Sequence, residues 1–317
     1  FYQTGMRKND RYIHALNFSL YVGGPDVIGA QKLGALCIWG GTLPSERLIF
    51  ILKTYQPTCI WTSPSYAWYL GETCKKNGVD PAKDLAIKKI YVAGEMGGSI
   101  ETTREAIEEL WGAEVYDFYG LSDIFGACAA MCEAKDGLHI AEDHILVETV
   151  DVRTGKVLEP GQVGELVYTT LRKHARPMIR FRSGDIGYID YTPCSCGRTH
   201  GRIHVTGRKD DMFVVSAVNV FPSDIEAVVH GVKGITGEYL IRVYEKDYTC
   251  RYEVTIEKED SNEAESDEAL AQRVSTALKA RIGVKPAKVI VAKEGTLERS
   301  THKAKRVIDE RKLTYDI

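Results

Sequence analysis

Residues 89–123 read KIYVAGEMGGSIETTREAIEELWGAEVYDFYGLSD. Lys89–Val92 is a short run of strand formers. Residues 99–111, opening at Ser99, have the spacing and the start signal of a helix, and Val115–Phe118 reads as the next strand. A strand, a helix and a second strand in sequence form the crossover unit of a parallel sheet. Toward the N-terminus, residues 26–37, 44–56 and 65–77 read as helices, the last behind Ser63-Pro64, with strands at Leu36–Trp39 and Cys59–Thr62. This alternation predicts an α/β fold with helices on both faces of a parallel sheet.

The pattern changes at about residue 138. Residues 145–151, 164–170, 178–181 and 186–190 read as short strands between Gly and Pro turns, a β-rich subdomain reaching about residue 206. Beyond Gly207–Asp211 the expected order is strand 212–215, helix 222–230, strands 238–245 and 250–257, helix 265–282, strand 287–291 and helix 303–312. That makes a small α+β unit. The expected domains are therefore 1–206, large, and 207–317, small.

The chain has 317 residues, 44% hydrophobic and 27% charged, with a formal net charge of -3. This composition suits a globular protein and gives no basic surface for nucleic acid or an anionic membrane. No apolar run approaches the ~20 residues of a membrane helix, and the first residues do not form a signal peptide. The lack of an initiator methionine leads us to expect that the chain starts inside a longer protein. The cysteines (Cys37, Cys59, Cys74, Cys128, Cys132, Cys194, Cys196 and Cys250) are too dispersed for a disulfide scaffold. Reduced thiols and a cytoplasmic location are expected.

Several local patterns carry chemistry. In Tyr116-Asp117-Phe118-Tyr119-Gly120-Leu121-Ser122-Asp123, a strand end offers Tyr119 to a purine face, Ser122 to a phosphate and Asp123 to Mg²⁺. Taken alone, it reads equally as an aromatic strand end with Asp123 as a helix cap. In Ser183-Gly184-Asp185 the carboxylate can accept both hydroxyls of a ribose. Arg208 supplies a charge-assisted donor, and Asp210 stands where the domains join, a hinge position. Lys303, in a basic stretch, can bridge a carboxylate and an α-phosphate. Each of these has an ordinary surface or turn explanation, but their order along the chain suggests ATP-dependent carboxylate activation.

A second constellation is metal-like. Cys194-Ser195-Cys196-Gly197 is a knuckle-style turn, and Cys132 and His139 precede the β-rich region. Three thiolates and an imidazole would close a tetrahedral structural zinc site. Cys128, His144, His200 and His204 compete for the fourth ligand position.

The chain resembles the adenylate-forming superfamily, most closely phenylacetate–CoA ligases and the related deazaflavin-cofactor adenylyl synthetases. The matching blocks are Tyr119–Asp123, Ser183–Asp185, Gly207–Asp211, Asn219–Glu226 and Lys303–Arg306, together with Gly137–His144. The likeness runs through the whole chain. It implies ATP, Mg²⁺ and CoA as cosubstrates and an aryl or arylacetic acid as substrate. It also implies a homodimer, and supports the zinc set. By this resemblance Lys303 acts in adenylation, and the small domain turns about Asp210. Phe18, Tyr21, Gly23 and Gly24 match the acid site, and Glu95, Asp117, Phe118, Tyr119, Gly120, Ser122, Asp185 and Arg208 the nucleotide site. Asp123 stands where Glu is usual, and His302 where Gly precedes the lysine. The family's Ser/Thr/Gly-rich phosphate loop would lie upstream, so a ligase fragment, or a truncated protein with impaired adenylation, is expected. The alternatives are an adenylyltransferase acting on a deazaflavin cofactor and a non-catalytic nucleotide-binding fragment.

Overall fold

The computed structural model describes residues 1–16, 23–95, 97–209, 212–215, 218–246, 249–299 and 306–310. The chain divides into two compact units, the first running from Phe1 to Thr206 and the second beginning at Gly207. In chain order the elements are β1 (Arg11–His14), α1 (Gly23–Leu33), β2 (Leu36–Trp39), α2 (Ser45–Tyr55), β3 (Cys59–Thr62), α3 (Pro64–Lys76), α4 (Pro81–Asp84), β4 (Lys89–Ala93), α5 (Glu101–Trp111), β5 (Glu114–Leu121), β6 (Phe125–Ala130), β7 (Leu138–Ile140), β8 (Ile145–Val150), β9 (Gly164–Thr170), β10 (Phe181–Asp190) and β11 (Arg202–Arg208). The second unit continues with β12 (Phe213–Val215), β13 (Val218–Val220), α6 (Pro222–Gly231), β14 (Ile235–Lys246), β15 (Thr249–Lys258), α7 (Asp267–Ile282), β16 (Lys288–Lys293) and β17 (Val307–Asp309).

The large unit is built on one 11-stranded sheet in the order β2-β1-β3-β4-β5-β6-β7-β11-β10-β9-β8. From β2 to β5 the strands are parallel, and the β5–β6 hairpin turns the sheet antiparallel. The β-rich segment therefore extends the parallel part edge to edge. Side chains alternate across a strand, and here the alternation sorts the core by type. Tyr12, Trp61, Tyr91, Tyr116 and Phe118 share one face. Their neighbours Ile13, Ile60, Ile90 and Val115 share the other, packed under Leu48, Leu52, Leu70, Ile107 and Leu110 of the helices. Pro64 opens α3 while the Ser63 hydroxyl accepts from the Tyr66 amide, and Gly112 ends α5 at φ 58.

The small unit has its own four-stranded sheet, β16-β15-β14-β17, and a core of Ile225, Val229, Ile241, Val254, Leu270 and Val274. Two expectations fail locally. Residues 178–181 and 186–190 are not two strands; Phe181–Asp190 is one strand, β10, with a register shift between Arg182 and Ile186, and residues 178–180 precede it. Within the expected helix 303–312, Val307–Asp309 is a strand parallel to β14. Pairing of its β-branched residues with an otherwise open edge overrides the helix preference of the Ala-Lys-Arg stretch before it. Strands β1, β6, β7, β11 and β13 had no expectation from the sequence.

Gly187 shows how tightly the sheet is drawn together: a Cβ there would lie 2.3 Å from the His204 carbonyl oxygen on β11. Gly187→Ala is expected to lower stability to urea by ~1–3 kcal/mol through overpacking. Gly126→Ala, whose Cβ meets nothing within 4 Å, should stay close to wild type. Equal effects would show that this close approach does not limit stability.

Candidate functional site

Asp185 owes its position to its neighbours in Ser183-Gly184-Asp185. Gly184 takes φ 78, the left-handed region that glycine enters without strain. The Ser183 hydroxyl donates to Leu166 O at 2.9 Å and accepts from the Asp185 amide at 3.0 Å. The strand therefore bulges at the aspartate, which is only 4% exposed. The Tyr119 hydroxyl, from the end of β5, donates to Asp185 Oδ2. The Tyr119 ring lies along that of Tyr168, fully buried on β9, with centroids 5.9 Å apart. Gly120 is required beside it, because a Cβ there would fall 1.6 Å from Gly126 O.

Asp117 is also buried, and accepts from the Ser99 hydroxyl. Burial pushes its carboxyl up to about 7, against the pull of Ser99 and nearby amides. Gly98 leaves the necessary space, since a Cβ there would lie 2.6 Å from Asp117 Cγ. The ring of Phe118, by contrast, is committed to the core, 4.7 Å from Trp61 and 5.6 Å from Tyr91. Glu95 accepts from the Ser65 amide at 2.9 Å and from its hydroxyl, which ties the carboxylate to the first turn of α3. Ser122 and Asp123 form the β5–β6 turn. Asp123 Oδ1 accepts from Arg176 Nη2 at 2.6 Å, and its main-chain oxygen accepts from Lys173 Nζ at 2.6 Å.

Gly23 and Gly24 open α1. Phe18, Tyr21, Asp210 and Lys303 lie outside the described residues. Arg208 ends β11, in the second unit. In that unit, the fully buried Glu257 accepts from Arg299 Nη1 at 2.8 Å and Nη2 at 2.7 Å, and Glu238 accepts from Arg306. Arg299 and Arg306 thus stand anchored on either side of residues 300–305.

The thiol cluster assembles as a set. Ligand atoms of Cys132, His139, Cys194 and Cys196 all lie within 4.8 Å of one another. Cys132 Sγ is 3.7 Å from Cys194 Sγ, and Cys196 Sγ is 3.3 Å from His139 Nε2. His139 Nδ1 lies 3.0 Å from His200 O, a bond that leaves Nε2 for the cluster. The competing ligands are engaged elsewhere: His200 Nδ1 on Ile140 O at 3.0 Å, His204 stacked on Tyr188 at 4.6 Å, His144 beside Asp143 at 3.3 Å, and Cys128 in the core. Soft thiolates and one imidazole in tetrahedral reach fit zinc.

Sequence reasoning passed over several residues at these sites. Arg202 is buried at the foot of β11, bonded to Asp136, Asp190 and Thr192, and pairs in register with His139. His14 ends β1, and burial pulls its imidazole down to about 4, so it is neutral at pH 7. Tyr168, Lys173 and Arg176 complete the group. Only the position of His14, at the C-terminal end of a parallel strand, would have marked it.

Comparisons with known proteins bear on the family and the fold. The AMP-binding enzyme family matches residues 1–170, and the AMP-binding enzyme C-terminal domain matches residues 217–311. A phenylacetate-coenzyme A ligase of Thermus thermophilus is 34% identical over 98% of this chain and 73% of its own length. One from Pseudomonas putida is 35% identical over 97% of this chain and 70% of its own. The structure of a 2-hydroxyisobutyryl-CoA ligase in its postadenylation state, bound to 2-HIB-AMP, superposes with a TM-score of 0.91 at 31% identity, covering 98% of this chain and 67% of that one.

Asp117 makes a pH prediction. Between about pH 4 and pH 7 the folded chain keeps a proton on Asp117 that the unfolded chain has released. Its contribution therefore falls as pH rises through that window and is constant above it. Asp117→Asn should be more stable than wild type at pH 8, on the order of 2–4 kcal/mol, with the gain vanishing below pH 4. Denaturant titrations at both pH values check this; a gain independent of pH would exclude a buried, protonated carboxyl.

Proposed function

This chain belongs to the AMP-binding enzyme family, and from that premise we propose that it is an AMP-forming acid–thiol ligase acting on a phenylacetate-like carboxylate. The observation that carries the reading is the buried Asp185 carboxylate on its glycine bulge, against Tyr119 near the end of β5. This is a rigid acceptor for a ribose diol next to an aromatic wall. In the first half-reaction a carboxylate oxygen attacks the α-phosphorus of ATP, and the bond to the β-phosphate breaks with loss of pyrophosphate. In the second the CoA sulfur, its proton lost, attacks the acyl carbon and AMP departs. Asp185 would hold the ribose, Tyr119 and Gly120 the base and Ser122 a phosphate, while Asp117 and Arg208 take their nucleotide roles from the resemblance. Phe118 would contribute only its backbone. Gly23 and Gly24, with Phe18 and Tyr21, would border the acid.

Lys303 takes its adenylation role, and Asp210 its hinge role, from the resemblance. Magnesium, when bound, would neutralise the polyphosphate, with Asp123 as its protein ligand. Zinc would be held by Cys132, His139, Cys194 and Cys196, and would pin the loops below β11 without entering the reaction. We place the enzyme in the cytoplasm. No disulfide links the described cysteines, and no described helix is long and apolar enough to cross a membrane.

Pyrophosphate release and thioester formation, measured with phenylacetate, benzoate and 2-hydroxyisobutyrate with and without CoA, test the proposal. Thioester is expected, fastest with phenylacetate. Adenylate without any thioester would favour an adenylyltransferase. Lys303→Ala should abolish adenylation and spare thioester formation from a supplied acyl-adenylate. Equal loss of both steps would remove the lysine from that role.

Elemental analysis should find one zinc per chain, lost with Cys196→Ser, together with a lower melting temperature after chelation. A metal-free wild-type protein of undiminished stability would exclude the site.

A further inference from the structure

The loop between β9 and β10, Leu171–Arg180, carries Arg172, Lys173, Arg176 and Arg180 and no acidic residue. Two of these cations converge on the β5–β6 turn: Lys173 Nζ reaches the main-chain oxygen of Asp123 and Arg176 Nη2 its carboxylate, each at 2.6 Å. A third, Arg180, is tied back to Glu148 at 3.0 Å. Arg176 reaches Asp123 from a strained backbone. Its φ is 55, in the left-handed region that non-glycine residues avoid, and it precedes Pro177, which disfavours helical conformations on either hand.

The Arg176–Asp123 pair does not explain that strain. Side-chain exposures are 67% for Arg176 and 43% for Asp123, and an ion pair so open to water adds little stability. A backbone outlier that its own contacts do not repay points to a ligand-facing role. The acid that Arg176 covers is the one read above as the magnesium ligand, so a guanidinium occupies the place of a divalent cation. Lys173, held at the same turn, brings a second positive charge.

We propose that Lys173 and Arg176 form a polyphosphate subsite, taking the β- and γ-phosphates of ATP and then the pyrophosphate product, with Arg176 transferring from Asp123 to the phosphates when magnesium binds the carboxylate. This rests on the ligase reading above and deepens it. In the exchange Arg176 passes from one anionic partner to another, while Lys173 gains one in place of the Asp123 main-chain oxygen. The planar guanidinium fork suits a bidentate grip on phosphate oxygens, whereas Lys173 acts as a point charge.

The test uses the whole protein and two probes, inorganic pyrophosphate with Mg²⁺ and AMP, with binding of each followed by calorimetry. AMP lacks the phosphates that this subsite would hold. Arg176→Ala should weaken pyrophosphate on the order of tenfold or more and leave AMP within about twofold. Arg176→Lys should restore part of the loss, and Lys173→Ala should weaken pyrophosphate in the same selective way. In turnover, KM for ATP should rise while KM for the acid holds. Pyrophosphate affinity unchanged in Arg176→Ala, or both probes weakened alike, would overturn the subsite. Both residues lie on an exposed loop, so circular dichroism should confirm a folded variant. Because binding is read without any acid or CoA, a wild-type protein that binds pyrophosphate selectively but makes no thioester would refute the ligase reading and leave the subsite standing.

Discussion

A carboxylate held almost out of water at a break in a strand is the constraint on which the site depends. Asp185 could not occupy that place on a regular strand, because the ladder would turn its side chain with the pleat. Gly184 breaks the register, Ser183 locks the break to β9, and Tyr119 supplies a hydroxyl to an oxygen that would otherwise be poorly solvated. The position of Tyr119 depends in turn on the close approach of β5 and β6 at Gly120 and on the buried ring of Tyr168. Burial raises the cost of leaving such a carboxylate without hydrogen bonds, and the Tyr119 hydroxyl helps to meet it.

The same principle recurs in the small unit. Glu257 and Glu238 are buried carboxylates matched by Arg299 and Arg306, and Glu257 also accepts from the Gly295 and Leu297 amides. Burial alone would push the Glu257 carboxyl up, but the arginine and the amides hold it below its ordinary value. Removing one partner of such a pair would leave an uncompensated buried charge, so the flanks of residues 300–305 are held more firmly than a surface turn would be.

What was legible in the sequence follows from what each feature depends on. The helices and parallel strands of residues 36–118 could be read because their apolar spacing is local, whereas Ser183-Gly184-Asp185 reads alone as an ordinary turn and gained meaning only from its order among the other motifs. Strand β1 was missed because Arg11–His14 is short and carries charged or polar residues at both ends; it is a strand because β2 and β3 flank it. The strand at Val307–Asp309 exists through its pairing with β14, a contact distant in sequence. The four residues of the thiol set lie together, although spacing could not choose among the histidines. The β7–β11 register makes that choice by bringing His139 opposite Arg202. Arg176 looked like an ordinary basic loop residue; it shares its left-handed backbone with Arg180, and its partner Asp123 sets it apart.

The central claim is that the acid is activated by direct attack on the α-phosphorus and released to the thiol from an acyl-adenylate. Turnover of phenylacetate labelled with ¹⁸O in its carboxylate, followed by mass spectrometry of the nucleotide product, tests this most directly. The account predicts one labelled oxygen in AMP and none in pyrophosphate. Thioester formed with unlabelled AMP, or label appearing in pyrophosphate or inorganic phosphate, would contradict it.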